Sequence, residues 1–170
     1  MAACAVMAAL VAASAPFASA EPNSDRGSGP SRSQRGAGQM PAMTYANPMG
    51  HRPITASYGE RGPWWYQDWH DGIDYDAETG DPVTHACSGK VAFAGNKGNW
   101  RGNYVVVKCK SGLTLTYAHL SSVKTRQGDA AEVGDVLGAV GATGNVTGSH
   151  LHISAELNGR SVNPAKYLPR

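Results

Sequence analysis

Beyond Met40 the chain never sustains a helical hydrophobic period, because Gly, Asn, Asp and Pro interrupt its apolar runs at close intervals. Runs this short can bury themselves only as strands. The expected strands are Ile54 to Tyr58, Ile73 to Asp76, Lys90 to Ala94, Tyr104 to Cys109, Leu113 to His119, Val136 to Val140 and Leu151 to Leu157. Ser111-Gly112 and Asn158-Gly159 carry hairpin-turn chemistry, and only the stretch around Pro164 to Leu168 suits a helical turn. Gly fills 21 of 170 positions, against a usual share of about 7 per cent. The fold class is therefore mostly β, with many turns.

The expected organisation is a leader at 1–20, a flexible linker at 21–40 and one domain at 41–170. Met1 to Ala20 is apolar and Ala-rich and ends in Ala18-Ser19-Ala20, the small-x-small pattern of a secretory cleavage site. No Lys or Arg precedes the apolar run, so a true start lying upstream and an uncleaved membrane anchor are the other readings. Glu21 to Met40 holds no aromatic or aliphatic residue that could anchor a core. The chain carries a net charge of only +2, far from the basic stripe of a nucleic-acid binder, so no nucleic-acid partner is expected.

Cys4 would leave with the leader, making the mature cysteine count even. In an oxidising compartment Cys87 and Cys109 would close a loop of about 22 residues, worth about 3 kcal/mol by loop entropy. Two unpaired buried thiols are the alternative.

Candidate chemistry gathers at three places. His70 and Asp74 stand four apart around Gly72, in a turn entering a strand. In Gly148 to Leu157 a period of two puts His150, His152, Ser154 and Glu156 on one face and Leu151, Ile153, Ala155 and Leu157 on the other. Alternate Cα atoms on a strand lie about 6.6 Å apart, within reach of one cation for two imidazoles. His119 ends a third strand, on the face expected for Tyr117 and Leu115. Four imidazoles and a carboxylate suit Zn²⁺, and five candidates exceed the three ligands of a catalytic zinc site by two groups able to move protons.

His70-x-Gly72-x-Asp74, then Tyr117-Ala118-His119-Leu120, then Gly141-x-Thr143-Gly144-x-x-x-Gly148-x-His150-Leu151-His152, resembles the M23 zinc metallopeptidases of lysostaphin and LytM type. The likeness spans about 120 residues: Ile54 to Arg61 resembles the family's entry strand and Val162-Asn163-Pro164 its closing segment. It implies an antiparallel β-sheet core with long loops forming a substrate groove. It also implies Zn²⁺ held by His70, Asp74 and His152, with His119 and His150 as the two catalytic imidazoles. The implied activity is a zinc endopeptidase acting on peptide cross-links or bridges of bacterial peptidoglycan, secreted and wall-associated, monomeric and free of the membrane after leader removal. The alternative is a non-catalytic LytM-like domain that binds wall or activates another hydrolase; such domains typically lack ligands or catalytic histidines, and all five positions are filled here.

Ile153 and Ser154 replace the aromatic and acidic residues that often follow His-Leu-His in the family. The aromatic segment Gly62 to Trp69 is a candidate groove wall or a local packing cluster. His51 and His85 read as ordinary loop residues, and Asn47 is a candidate for the metal-blocking asparagine found in some relatives.

Overall fold

The computed structural model describes residues 44–65 and 67–169. The expected leader and linker lie outside the described residues. Eleven strands follow in chain order: β1 Ile54–Ala56, β2 Gly72–Asp76, β3 Pro82–Thr84, β4 Gly89–Asn96, β5 Asn103–Cys109, β6 Leu113–Leu120, β7 Ser122–Val123, β8 Ala130–Ala131, β9 Val136–Ala139, β10 His150–Leu157 and β11 Arg160–Val162. A 3₁₀ turn at Pro164–Lys166 is capped by Asn163, whose Oδ1 accepts the Ala165 N–H at 2.9 Å. Among the described residues there is no α-helix, and no helix long and apolar enough to cross a membrane.

The large sheet runs β1-β2-β10-β6-β5-β4-β8, with β11 also paired to β10; the small sheet runs β3-β9-β7, and every pairing is antiparallel. Ile73, Val107, Leu115, Tyr117 and Ile153 of the large sheet share one buried cluster with Val83 and Leu137 of the small one. Tyr117 is anchored there by its hydroxyl, which accepts the Ala86 N–H at 2.9 Å. The expected hairpin turn after Leu157 is present: Asn158 and Gly159 take φ of 52° and 73°, the pair of left-handed residues a tight hairpin requires.

Expected strands β4, β5, β6 and β10 extend by up to two residues at an end, while the first stops at Ala56 rather than Tyr58. The run at Val136 forms its ladder in the small sheet. Cys87 and Cys109 form a disulfide, with Cα atoms 5.7 Å apart.

Candidate metal centre

Alternation puts the site on the face of the large sheet turned away from the core. Ile73 and Tyr75 of β2, Leu151, Ile153 and Ala155 of β10, and Leu113, Leu115 and Tyr117 of β6 are buried in the cluster. The intervening Asp74, His152 and Ala118 share the opposite face. Register then sets His152 opposite Asp74 on one side and opposite Ala118 on the other. His70 joins them from the turn before β2, where its N–H donates to the Glu60 carbonyl and its own carbonyl accepts the Gly59 N–H, both at 2.8 Å.

The His70 ring is fully buried and stacks on Trp65, centroids 5.1 Å apart. Its Nδ1 lies 3.0 Å from the Ser57 carbonyl oxygen, which requires the proton on that nitrogen. Nε2 therefore turns a lone pair inward, 3.1 Å from Asp74 Oδ1 and 3.1 Å from His152 Nδ1. His152 Nδ1 is 2.9 Å from the same carboxylate oxygen. One ligand atom from each of His70, Asp74 and His152 falls within 4.8 Å of the other two.

Two ring nitrogens and a carboxylate oxygen gathered in a buried spot need positive charge between them, supplied by a proton or a cation. The donor set fits a divalent metal with nitrogen and oxygen preferences. With protons alone, burial raises the Asp74 carboxyl, but the hydrogen bond and positive charge of His152 outweigh it and hold the group well below the usual carboxylate range. Burial pushes the His152 imidazole down, but Asp71 and Asp74 outweigh burial and hold it above its ordinary value.

His119 and His150 line the same cleft, their ring centroids 4.8 Å apart. His119 does not share the face of Tyr117 and Leu115: a φ of 65° breaks the alternation at the strand end and turns its ring towards His152, 5.8 Å away. Its N–H donates to the Arg101 carbonyl and its Nδ1 meets the Thr143 carbonyl oxygen, each at 2.9 Å, so Nε2 is the free nitrogen. Burial pushes its pKa down to about 4, with Thr143 and Asp74 opposing only in part, so the ring is neutral near pH 7. His150 Nδ1 likewise meets the Gly148 carbonyl at 3.0 Å, leaving Nε2 at 3.9 Å from Asp74 Oδ1.

The cleft encloses about 680 Å³. The aromatic segment divides its labour: Trp65 backs His70, Trp69 packs edge-on against Tyr58, and Trp64 stands 75% exposed on the cleft wall. Trp100 and Arg101 line it too, Trp100 edge-on to His152 at 5.5 Å; nothing in their local pattern distinguishes them from ordinary loop residues. His85 lies in a loop as expected, but a buried one: its N–H donates to the Asp135 carbonyl and its own carbonyl accepts the Gly134 N–H. Asn47 does not reach the centre; its Oδ1 accepts the Met49 N–H at 2.9 Å, beside a separate cavity.

The fold is that of the lysostaphin- and LytM-type peptidases, built on antiparallel sheets. Residues 68–164 match Peptidase family M23, and the chain belongs to that family. It is 40% identical over 119 residues to the DD-carboxypeptidase/endopeptidase Mpg of Neisseria meningitidis, covering 69% of this chain and 27% of that protein. It is 30% identical over 99 residues to the murein hydrolase activator NlpD of Escherichia coli, covering 58% of this chain and 26% of the relative. The chain thus spans about a quarter of the length of these curated relatives. Among solved structures, the catalytic domain of the prophage-encoded M23 protein EnpA of Enterococcus faecalis superposes with a TM-score of 0.63 at 34% identity, covering 72% of this chain and 97% of that one. The catalytic domain of lysostaphin from Staphylococcus simulans gives 0.65 at 27% identity, covering 68% and 91%. A zinc-containing peptidase from Vibrio cholerae gives 0.67 at 28% identity, covering 74% and 41%.

Proposed function

We propose that this domain is an exported zinc endopeptidase that hydrolyses peptide cross-links or bridges of bacterial peptidoglycan. The observation that carries this reading is the gathering of His70, Asp74 and His152 within 4.8 Å, with two further imidazoles in the same cleft. His70 Nε2, Asp74 Oδ1 and His152 Nδ1 would hold the ion. The chemistry zinc supplies when bound is Lewis acidity: it polarises a carbonyl oxygen and acidifies water. His119 and His150, each with Nδ1 tied to a backbone carbonyl, present Nε2 to the cleft, where they orient the attacking water, take and return its proton, and donate to the oxyanion. The Cys87–Cys109 disulfide supports an oxidising, extracytoplasmic location.

Relatives named as murein hydrolase activators favour one second reading, a wall-binding or activating domain without turnover. All five site positions are filled in this chain, which supports hydrolysis. The test is release of new amino termini from purified sacculi, with chelator and with zinc restored. The expected outcome is release that chelator stops and zinc recovers; binding to sacculi with no chelator-sensitive release would establish the second reading instead.

A further inference from the structure

His152 has a second ring nitrogen that the proposed chemistry leaves unused. Nε2 is buried and has no well-aligned hydrogen-bond partner, yet Asp71 Oδ1 lies only 3.2 Å away. The other oxygen of Asp71 faces Arg101 Nη2 at 3.8 Å. The Arg101 guanidinium itself lies over aromatic faces, 4.4 Å from the Trp100 ring centroid and 6.0 Å from that of Tyr104. Gly72 closes the remaining side: a Cβ there would stand 2.8 Å from His152 Nε2. The ring edge carrying Nε2 is thus enclosed by a glycine backbone and a carboxylate braced by an arginine.

A neutral imidazole carries one proton and one lone pair, and the group facing one nitrogen decides which the other presents. We propose that Asp71 is a positioning residue: its carboxylate accepts the His152 Nε2–H, fixing Nδ1 as the ligand atom, and Arg101 holds that carboxylate in place. The inference rests on the metal reading above. A carboxylate in this place also raises the basicity of the ligating nitrogen, and losing such a partner typically lowers metal affinity about 10–100-fold.

The zinc dissociation constant of the full chain, measured by competition with a chromophoric chelator, tests this directly. Asp71→Asn is expected to raise it about 10–100-fold, Asp71→Glu to recover part of the loss, and Arg101→Gln to fall between, while the melting temperature without metal stays near wild type. Nitrogen-15 histidine spectra of zinc-loaded wild type are expected to place the His152 proton on Nε2, a reading independent of any variant. An unchanged dissociation constant in Asp71→Asn, or a His152 proton on Nδ1, overturns the proposal. Wild type that binds no zinc at all overturns the metal reading instead, so the two failures are separable.

Discussion

His152 and Asp74 face each other across the β2–β10 ladder, with 2.9 Å between Nδ1 and Oδ1. That cross-strand pair ties residues 78 positions apart in sequence. Ile73 and Ile153, also opposite one another, pack on the underside.

His152→Ala removes a ligand atom, so zinc retention after dialysis should be lost. His119→Ala leaves the three converging atoms in place, so zinc should stay while release of amino termini from sacculi falls by about a hundredfold or more. Metal analysis beside turnover separates them, and equal zinc loss in both would show that the roles are misassigned.

Gly72→Ala should damage fold and site together. A Cβ at 72 would collide with the Ile153 carbonyl oxygen and lie 2.7 Å from His152 Cε1. Relieving that contact means parting β2 from β10 or turning the ring, a cost of about 1–3 kcal/mol. Denaturant unfolding and zinc affinity should both fall, whereas Gly148→Ala, which meets nothing within 4 Å, should leave unfolding unchanged.

Reducing the Cys87–Cys109 bridge should lower stability by about 3 kcal/mol, from the freed loop of separation 22. Neither cysteine belongs to the converging ligand group, so zinc affinity of the folded protein should not change. Unfolding curves with and without reductant, paired with chelator competition, check both halves.

Acid should weaken the metal-free domain through His119. Its folded pKa of about 4 lies below the ordinary 6.5, so between those values the unfolded chain takes up a proton that the folded one refuses. Stability therefore falls as pH drops from 6.5 towards 4, by up to about 3 kcal/mol from this group. His85 is shifted down by burial and adds to the same slope. His119→Gln should flatten the profile in that window without abolishing it; an unchanged profile would show that the ring does not resist protonation.

The long strands β4, β5, β6 and β10 were legible because apolar residues recur in them or alternate through them, and the His150-x-His152 spacing was legible because strand geometry repeats every second residue. Strands β3, β7 and β8, of two or three residues, have no pattern of their own and take their pairing from neighbours, and β11 is signalled only by the turn at Asn158-Gly159. Sequence spacing also gave no register, so nothing local said that His152 would stand opposite Asp74. His119 departed from its expected face because one left-handed residue ends the alternation. The loop position of His85 is legible in its pattern, but its burial comes from packing, which the pattern does not carry. Asp71, Trp100 and Arg101 matter through what they touch, which no motif records.

Strand β10 is the last long strand among the described residues, yet it threads the middle of the sheet between β2 and β6. A copy halted or clipped before residue 150 would hold two sheet fragments with a gap between them, and His70 and Asp74 without His152. The metal centre therefore depends on the strand that joins the two fragments: sheet closure and convergence of the three ligand atoms are one event.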